Sequence, residues 1–340
     1  MCVFCYNQLE QCNLKPMGET IVIDTATFHL TIKASEPLVL PPYKGSTLRG
    51  GFGTTFRRIV CVARDKECAE CLLKGRCVYS YIFETPIPPD AKIMRKYEAA
   101  PHPFIIEPPR EQRRGYEPGE EIGFGLVLVG RAIDYLPYFI YTFDELGKSG
   151  IGKGRGKFEL TAVTSGGKTI YSSETKMLTE FGRTLLPFNA DLFNSEGSPP
   201  SEMTLNFLTP TRIAYNGRLT LQMGFHTIVR NLLRRISLLS YFHCEKNGGP
   251  ALDFKGIIEK AEAVRIVDRK LRWYDWERYS GRQEKRINMG GFVGAISFAG
   301  DLGPFAPLIK AGEVLHVGKG TVFGLGKYEV KQDSRWASSL

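Results

Sequence analysis

The spacing of apolar and polar positions in the first half of the chain predicts strands on either side of two helices. β-branched residues dominate positions 20–33 and predict a strand. Ser46 can then cap a helix whose apolar residues recur at helical spacing, namely Leu48, Phe52, Phe56 and Ile59. Further patterns predict strands at 78–85, 121–133 and 158–163, a short helix at 136–146, and an extended, proline-rich and charged insertion at 86–119.

The second half repeats this order of elements. Its clearest helix, at 221–244, carries one apolar stripe formed by Phe225, Val229, Leu232, Leu233, Ile236 and Leu239. A second helix is predicted directly after it, at 256–271. The remaining patterns predict strands at 203–213, 289–298 and 327–331 and a short helix at 304–311.

Each half therefore approximates the order strand–helix–strand–strand–helix–strand, which is the order of a ferredoxin-like domain. The halves also share a short sequence motif: Gly-Lys-Phe-Glu-Leu at 156–160 matches Gly-Lys-Tyr-Glu-Val at 326–330. Such a repeat suggests duplication. We predict an α+β protein with two tandem ferredoxin-like (RRM-like) βαββαβ domains and a cysteine-rich insertion in the first. The predicted boundaries are a tail at 1–19, domain 1 at 20–175 with the insertion at 61–77, a linker at 176–200, and domain 2 at 201–340.

The charge balance adds an expectation about partners. Lys and Arg number 45 and Asp and Glu number 36, so the net charge is +9 at pH 7. Such an excess suggests an anionic partner, most commonly a nucleic acid, although a merely basic soluble protein is the alternative. No apolar run is long enough to span a membrane, and the first residues lack the pattern of a signal peptide, which predicts a cytoplasmic protein.

Four closely spaced cysteines form a candidate metal site, namely Cys61, Cys68, Cys71 and Cys77. Four thiolates around a central C-x2-C suffice for a tetrahedral site, for which structural zinc is the default and an iron–sulfur cluster is an alternative. Free buried thiols are the other possibility. Three more cysteines, Cys2, Cys5 and Cys12, lie in the predicted tail and are expected to be unstructured thiols.

A glycine-rich segment at 316–328 is a candidate phosphate-binding element. Its glycines, Gly318, Gly320, Gly324 and Gly326, would let backbone N–H groups approach phosphate oxygens, while Lys319 and Lys327 supply positive charge. The segment leads into a predicted strand, so it is not a Walker loop. A glycine-rich hairpin that serves only the fold is the alternative interpretation.

These motifs together resemble the RAMP superfamily of CRISPR-associated proteins and, within it, the repeat-processing endoribonucleases of the Cas-six family. The glycine-rich segment resembles the signature loop of that family, and Ser-Thr-Leu-Arg-Gly-Gly-Phe-Gly at 46–53 resembles its first-helix motif. The cysteine loop with the residues up to 85, and the aromatic and basic run at 273–283 before Gly-Gly-Phe-Val-Gly at 290–294, fit one large branch.

The resemblance implies two tandem ferredoxin-like domains that bind CRISPR repeat RNA and cut precursor crRNA within the repeat without a catalytic metal. In that family the upstream 2′-hydroxyl attacks the phosphate and leaves 2′,3′-cyclic phosphate and 5′-hydroxyl ends. Such chemistry needs a general base, a general acid and a group that stabilises the phosphorane. The implied partners are the repeat RNA or crRNA and subunits of a CRISPR effector complex.

The sequence departs from the family pattern because residues 45–62, which cover the first helix, contain no histidine. We therefore take His316, His226 and Lys319 as the candidate catalytic residues. His226 shares a helix face with Arg230 and Arg234, and that row can follow an RNA backbone or equally be a solvated basic face. The alternative for His316 is a histidine at a strand end that only packs.

The other three histidines carry weaker expectations. His29 lies in the first strand and is predicted to be structural. His102 lies between two prolines in a loop and could reach a ligand, whereas His243 ends a helix and is expected to cap it.

Basic and aromatic residues are interleaved at 265–286, where aromatic faces can stack bases and arginines can bind phosphates. Core packing of Trp273 and Trp276 is an equal alternative. The candidate RNA-binding residues are Arg49, Lys153, Arg155, Arg230, Arg234, Arg278, Arg282, the four glycines of the glycine-rich segment and Lys327. A non-catalytic RNA-binding subunit of a CRISPR effector and a basic metal-binding protein outside CRISPR systems are the competing hypotheses.

Overall fold

The structure is a computed structural model that describes residues 20–64, 66–94, 99–189, 193, 202–215, 218–244, 252–280 and 285–331. Cys2, Cys5, Cys12 and Arg282, all named above, lie outside these residues.

The first half of the chain builds a six-stranded antiparallel sheet, a separate two-stranded sheet and two helices. Its strands are β1 (Ile21–Ala34), β2 (Leu38–Val39), β3 (Phe104–Glu107), β4 (Gly115–Tyr116), β5 (Glu121–Val129), β6 (Phe158–Ser165), β7 (Lys168–Ser172) and β8 (Thr184–Phe188), and its helices are α1 (Gly45–Val60) and α2 (Leu136–Ser149). The strand order is β3-β5-β1-β6-β7, and β8 pairs with the start of β1. The central order β3-β5-β1-β6, with α1 after β1 and α2 after β5, is that of a ferredoxin-like domain.

The second half repeats this arrangement. Its strands are β9 (Glu202–Thr211), β10 (Ala214–Tyr215), β11 (Arg218–Leu219), β12 (Arg265–Tyr274), β13 (Glu277–Ser280), β14 (Lys285–Asn288), β15 (Gly291–Ala299) and β16 (Tyr328–Lys331), and its helices are α3 (Phe225–His243), α4 (Phe254–Glu262) and α5 (Ala306–Leu315). The sheet order β12-β15-β9-β16 is the same ferredoxin-like order. The prediction of an α+β fold with two tandem ferredoxin-like domains is thus confirmed.

Buried and exposed side chains alternate along β1, and this alternation shows which face of the first sheet the helices cover. Phe28, Leu30 and Ile32 are buried in a core that also holds helix residues such as Phe52 and Phe139. The intervening side chains of β1 point to the opposite face of the sheet and are exposed or half-buried. The helices therefore cover one face of the sheet and leave the other face open.

The second strand of the first domain differs from the prediction. Residues 78–85 were expected to form a strand, but they contain a π-helical turn at Ser80–Glu84. The second strand is instead β3, which lies within the stretch expected to be an insertion and pairs with β5. A short apolar run does not distinguish strand from helix by its spacing, and its neighbours in the fold decide between them.

The predicted helix at 256–271 is also partly wrong, because α4 ends at Glu262 and β12 begins at Arg265. Residues Arg265–Tyr274 pair with β15 from end to end, with one register shift between Ile266 and Asp268. That pairing satisfies backbone N–H and C=O groups at the edge of the sheet, and it outweighs the helix-like spacing of the local sequence.

The stretch predicted as a linker, 176–200, contains β8, which extends the first sheet through its pairing with β1. Phe193 packs into the second core. Within the described parts of the chain, no helix is long and apolar enough to cross a membrane.

Phe52 is fully buried and stacks on Phe139 at 4.7 Å between ring centroids. We expect Phe52→Ala to lower the free energy of unfolding by about 3–5 kcal/mol, because the substitution leaves a cavity between α1 and α2. Phe254→Ala on α4, where the ring is 38% exposed, is the matched control and should cost less than half as much. Urea unfolding of both variants measures the difference, and equal losses would contradict this account of the core.

Candidate functional site

The open faces of the two sheets meet in a cleft that holds a cavity of about 650 Å³. Both domains line it with polar and charged side chains. Domain 1 contributes Thr27, His29, Glu107 and Thr164, and domain 2 contributes Thr209, Glu313, Lys327 and Glu329. The cleft thus depends on both domains.

Glu107, the last residue of β3, connects the domains through its carboxylate. Its Oε1 atom lies 2.8 Å from His316 Nε2 and accepts a hydrogen bond of 2.5 Å from Lys327 Nζ. His316 follows α5 and is fully buried, and its other ring nitrogen, Nδ1, lies 3.0 Å from the carbonyl oxygen of Leu325. Two groups of the glycine-rich segment therefore bind one carboxylate of domain 1.

Both ring nitrogens of His316 face oxygen acceptors, which constrains the protons of this cluster. Because a carbonyl oxygen only accepts, Nδ1 carries hydrogen, and the contact from Nε2 to Glu107 needs one further proton. Burial alone would raise the pKa of Glu107, but the hydrogen bond and charge of His316 and the charge of Lys327 lower it to about 2. Burial lowers the pKa of His316, whereas the Glu107 carboxylate acts in the opposite direction.

His29 lies in the same cross-strand row as Glu107, on the open face of the first sheet. Gly125 of β5 pairs with Glu107 on one side and with His29 on the other. A Cβ atom at Gly125 would collide with the Glu107 carboxylate, and one at Gly123 would collide with the His29 ring. These two glycines make room for the imidazole and the carboxylate on the floor of the cavity.

A second cavity, of about 310 Å³, lies in the same cleft. The segment Pro108–Arg110 lines both cavities, so they adjoin each other. The second cavity also contains two tyrosines and a further arginine, namely Tyr43, Tyr274 and Arg272. Tyr43 is held in place because its hydroxyl donates a 2.9 Å hydrogen bond to the carbonyl oxygen of Phe323. This part of the cleft is aromatic and basic.

The glycine-rich segment packs tightly against its surroundings. A Cβ atom at Gly326 would collide with the carbonyl of Val317, and one at Gly324 would collide with Pro108. The N–H groups of Lys319, Gly324 and Gly326 donate to carbonyl oxygens within the protein. Those three donors are therefore not directed at a ligand, and phosphate binding by the remainder of the segment stays a prediction.

Several predicted site residues lie outside the cleft. Arg230 and Arg234 are exposed on α3, His226 is half-buried in its first turn, and Lys319 is exposed in the glycine-rich segment. None of these four lines either cavity of the cleft. Their proposed roles in catalysis or RNA binding stay predictions.

The remaining predicted RNA-binding residues are distributed over both domains. Arg49 on α1 stacks over the Phe83 ring at 3.9 Å. Lys153 and Arg155 are exposed in the turn that follows α2, and Arg155 lines a separate cavity of about 290 Å³ beside α1. Arg278 lies in β13.

The four predicted metal ligands lie in a loop of turns between α1 and the π-helical turn, and all four are half-buried free cysteines. Cys61, Cys71 and Cys77 line one small cavity of about 240 Å³, whereas Cys68 and Cys77 pack against the first core. No group of three or more His, Cys, Asp or Glu side chains among the described residues is arranged to hold a metal ion. The donors as placed do not form a zinc or iron–sulfur site, and such a site stays a prediction.

Sequence reasoning missed three residues of the cleft and underestimated a fourth. Glu107 and Arg110 lie in the stretch expected to be an insertion, and Tyr43 follows a proline pair, so no local signal marks them. His29 was expected to be structural, although the alternation of β1 placed it with Thr27 on the polar face of the strand.

Two family models match the chain. One is described as CRISPR-associated endoribonuclease Cas6 and matches residues 205–328, within the second ferredoxin-like domain. Over these residues the chain is similar to the Cas6 family. The other model is described only as an N-terminal domain and matches residues 23–182, which cover the first ferredoxin-like domain. The family resemblance stated from the sequence motifs is confirmed.

Individual relatives of this chain are distant. An uncharacterized protein of Archaeoglobus fulgidus is 23% identical over 305 residues, which cover 86% of this chain and 93% of the relative. A Cas6 product complex matches with a TM-score of 0.55 at 16% identity and covers 90% of this chain and 100% of that chain. Thermus thermophilus Cas6 matches with a TM-score of 0.51 at 15% identity and covers 91% and 99%. At these identities the likeness is one of fold.

The Glu107 cluster makes the stability of the protein dependent on pH. Because the pKa of Glu107 is lowered from 4.5 to about 2 in the folded chain, its ionisation stabilises the fold above pH 4.5, and this contribution is lost as the pH falls towards 2. We expect Glu107→Gln to cost about 2 kcal/mol at pH 7, since the Lys327 ammonium and the buried His316 ring lose their carboxylate partner.

Urea unfolding at several pH values tests this expectation. The difference in stability between wild type and Glu107→Gln should shrink as the pH falls from 4.5 towards 2. Glu159→Gln, which removes an exposed carboxylate on β6, is the matched control and should show little difference at any pH. A difference for Glu107→Gln that stays constant down to pH 2 would contradict the proposed ionisation.

Proposed function

We propose that this protein binds CRISPR repeat RNA in the cleft between its two domains and cleaves precursor crRNA within the repeat. The main support for this proposal is the cleft, because both sheets turn open faces towards it and Arg110, Arg272 and Lys327 line it. The Cas6 family model and the similarity in fold to a Cas6 product complex support the same substrate class. The proposed partners are accordingly the repeat RNA or crRNA and subunits of a CRISPR effector complex.

The aromatic and basic cavity suits an unpaired stretch of RNA. Tyr43 and Tyr274 are half-buried, while Arg110 and Arg272 are exposed at the same cavity. Aromatic rings stack on bases without regard to sequence, and arginines bind the phosphates between them. We assign this cavity to binding.

The adjoining cavity suits the chemistry of cleavage. Attack by a 2′-hydroxyl gives a 2′,3′-cyclic phosphate and a 5′-hydroxyl and needs a positive group near the phosphorane. Lys327 meets that need, since it lines the cavity and Glu107 holds its ammonium group in position. The fully buried His316 holds Glu107 from the other side and acts in this proposal as a positioning residue rather than as a proton donor to RNA.

A non-catalytic RNA-binding subunit is the second candidate. It is favoured by the absence of any histidine at 45–62, where the family usually carries one, and by the burial of His316. The two candidates share the binding cleft and differ only in the cleavage step, so binding and cleavage have to be measured separately.

Binding to repeat RNA should weaken steeply as salt is raised, because phosphate contacts release counterions. Removal of both cleft arginines in Arg110→Ala/Arg272→Ala should reduce the slope of log Kd against log salt by about 1.4, which is about 0.7 for each contact. The control Lys92→Ala/Lys255→Ala removes two exposed cations that line neither cavity of the cleft and should leave the slope unchanged. Fluorescence anisotropy with labelled repeat RNA measures both slopes, and equal slopes for the two double variants would exclude the cleft as the RNA site.

The wild-type protein should cut labelled repeat RNA once in the presence of EDTA and leave a 2′,3′-cyclic phosphate. A repeat carrying a single 2′-deoxy substitution directly upstream of the cut should bind equally well and remain intact, because the nucleophile is absent. Denaturing gels and phosphatase sensitivity of the ends identify the products. Binding without any cut of the unmodified RNA would favour the non-catalytic subunit.

A further inference from the structure

We propose that His29 is the general base of RNA cleavage, acting on the 2′-hydroxyl in the cavity between the open sheet faces. This inference rests on the proposed function and adds to it the residue that moves the proton. It assigns a catalytic role to a strand residue whose sequence context indicated only a structural one.

All five histidines lie within the described residues, and the position of His29 differs from those of the other four. His29 is exposed and lines the 650 Å³ cavity. None of the other four lines this cavity. His316 is fully buried, and His243 is buried with its Nε2 atom 2.7 Å from the Pro101 carbonyl oxygen. The ring of His102 lies 2.7 Å from the Thr85 hydroxyl, and His226 lines neither cavity of the cleft. Only an imidazole that reaches the cavity can take a proton from a bound ribose.

The spacing of the cavity floor suits a phosphodiester. The His29 ring lies over Gly123, and the carboxylate of Glu107, which holds Lys327, lies over Gly125. These glycines are two residues apart on one strand, so the ring and the carboxylate are separated by about 7 Å along it. A phosphate with its neighbouring ribose fits between an imidazole on one side and the ammonium of Lys327 on the other.

The chemical step balances without a metal or any reagent other than water. The neutral imidazole of His29 takes the proton of the 2′-hydroxyl while the 2′-oxygen forms a bond to phosphorus. The bond between phosphorus and the 5′-oxygen breaks, and the leaving oxygen takes a proton from water. The resulting hydroxide then removes the proton from the imidazolium, so one RNA chain becomes a cyclic phosphate and a 5′-hydroxyl.

The experiment compares single-turnover cleavage and RNA affinity in His29→Ala, with wild type and Lys33→Ala as references. Lys33 is exposed on the same face of β1 but lies outside the cavity, which makes it the matched control. We expect His29→Ala to keep the melting temperature, to bind repeat RNA within about twofold of wild type, and to cleave about 10²–10⁴-fold more slowly. Added imidazole should restore part of the rate in His29→Ala and leave Lys33→Ala, which should cleave normally, unaffected.

Any other outcome overturns the assignment of His29 as the general base. The outcomes also show whether only this assignment fails or the proposed function fails with it. If His29→Ala cleaves at the wild-type rate, His29 is not the base and the proposed function stands. If His29→Ala loses affinity as much as rate and imidazole restores nothing, His29 serves binding only. If wild type binds but never cuts, the base and the cleavage step both fail, and absence of binding by wild type removes the proposed function as well.

Discussion

The charged contact between Glu107 and the glycine-rich segment, together with apolar residues that each core receives from both domains, holds the two domains in one arrangement. The carboxylate comes from the last residue of β3 in domain 1, whereas both groups that bind it, His316 and Lys327, belong to domain 2. A partly buried carboxylate needs partners, since an unpaired charge in such a place costs several kcal/mol. Domain 2 supplies those partners only when it lies against the end of β3. The width of the cleft and the direction of Lys327 follow from this requirement.

Two glycines in β5 make room for the site because they have no side chains. Gly123 and Gly125 lie at the centre of the first sheet, where larger residues would normally strengthen a strand. Side chains at these positions would displace the His29 ring and the Glu107 carboxylate. The strand loses some side-chain packing at these positions. In return, the His29 imidazole and the Glu107–Lys327 ion pair can lie close together on the open face of the sheet.

The glycine-rich segment acts as a junction between the domains as well as a part of the site. Gly45 at the start of α1 approaches the Phe323 carbonyl so closely that a Cβ atom would collide with it. Arg49, one turn further along α1, lies over the Phe83 ring and near the Phe323 ring. The sequence motif at the first helix and the glycine-rich motif at the end of the chain are thus in contact, although some 270 residues separate them. Their occurrence together in one sequence therefore has a physical basis in this junction.

By itself the sequence predicted most of the elements and suggested an anionic partner. The alternation in β1 and the apolar stripe of α3 predicted a strand and a helix correctly, because each pattern is local and each element buries one face of its own. The order of these elements was enough for the ferredoxin-like fold, and the charge and the glycine-rich motif pointed to RNA.

Only the tertiary structure decided which residues share a site. Glu107 gave no local signal, β12 had a helix-like spacing, and His29 resembled any polar residue of a strand. Their surroundings come from distant strands of the chain: β15 pairs with β12, β5 places Glu107 and His29 in one row, and domain 2 brings Lys327 across the cleft. Because interactions between strands and between domains join residues far apart in sequence, no window of local pattern contains them.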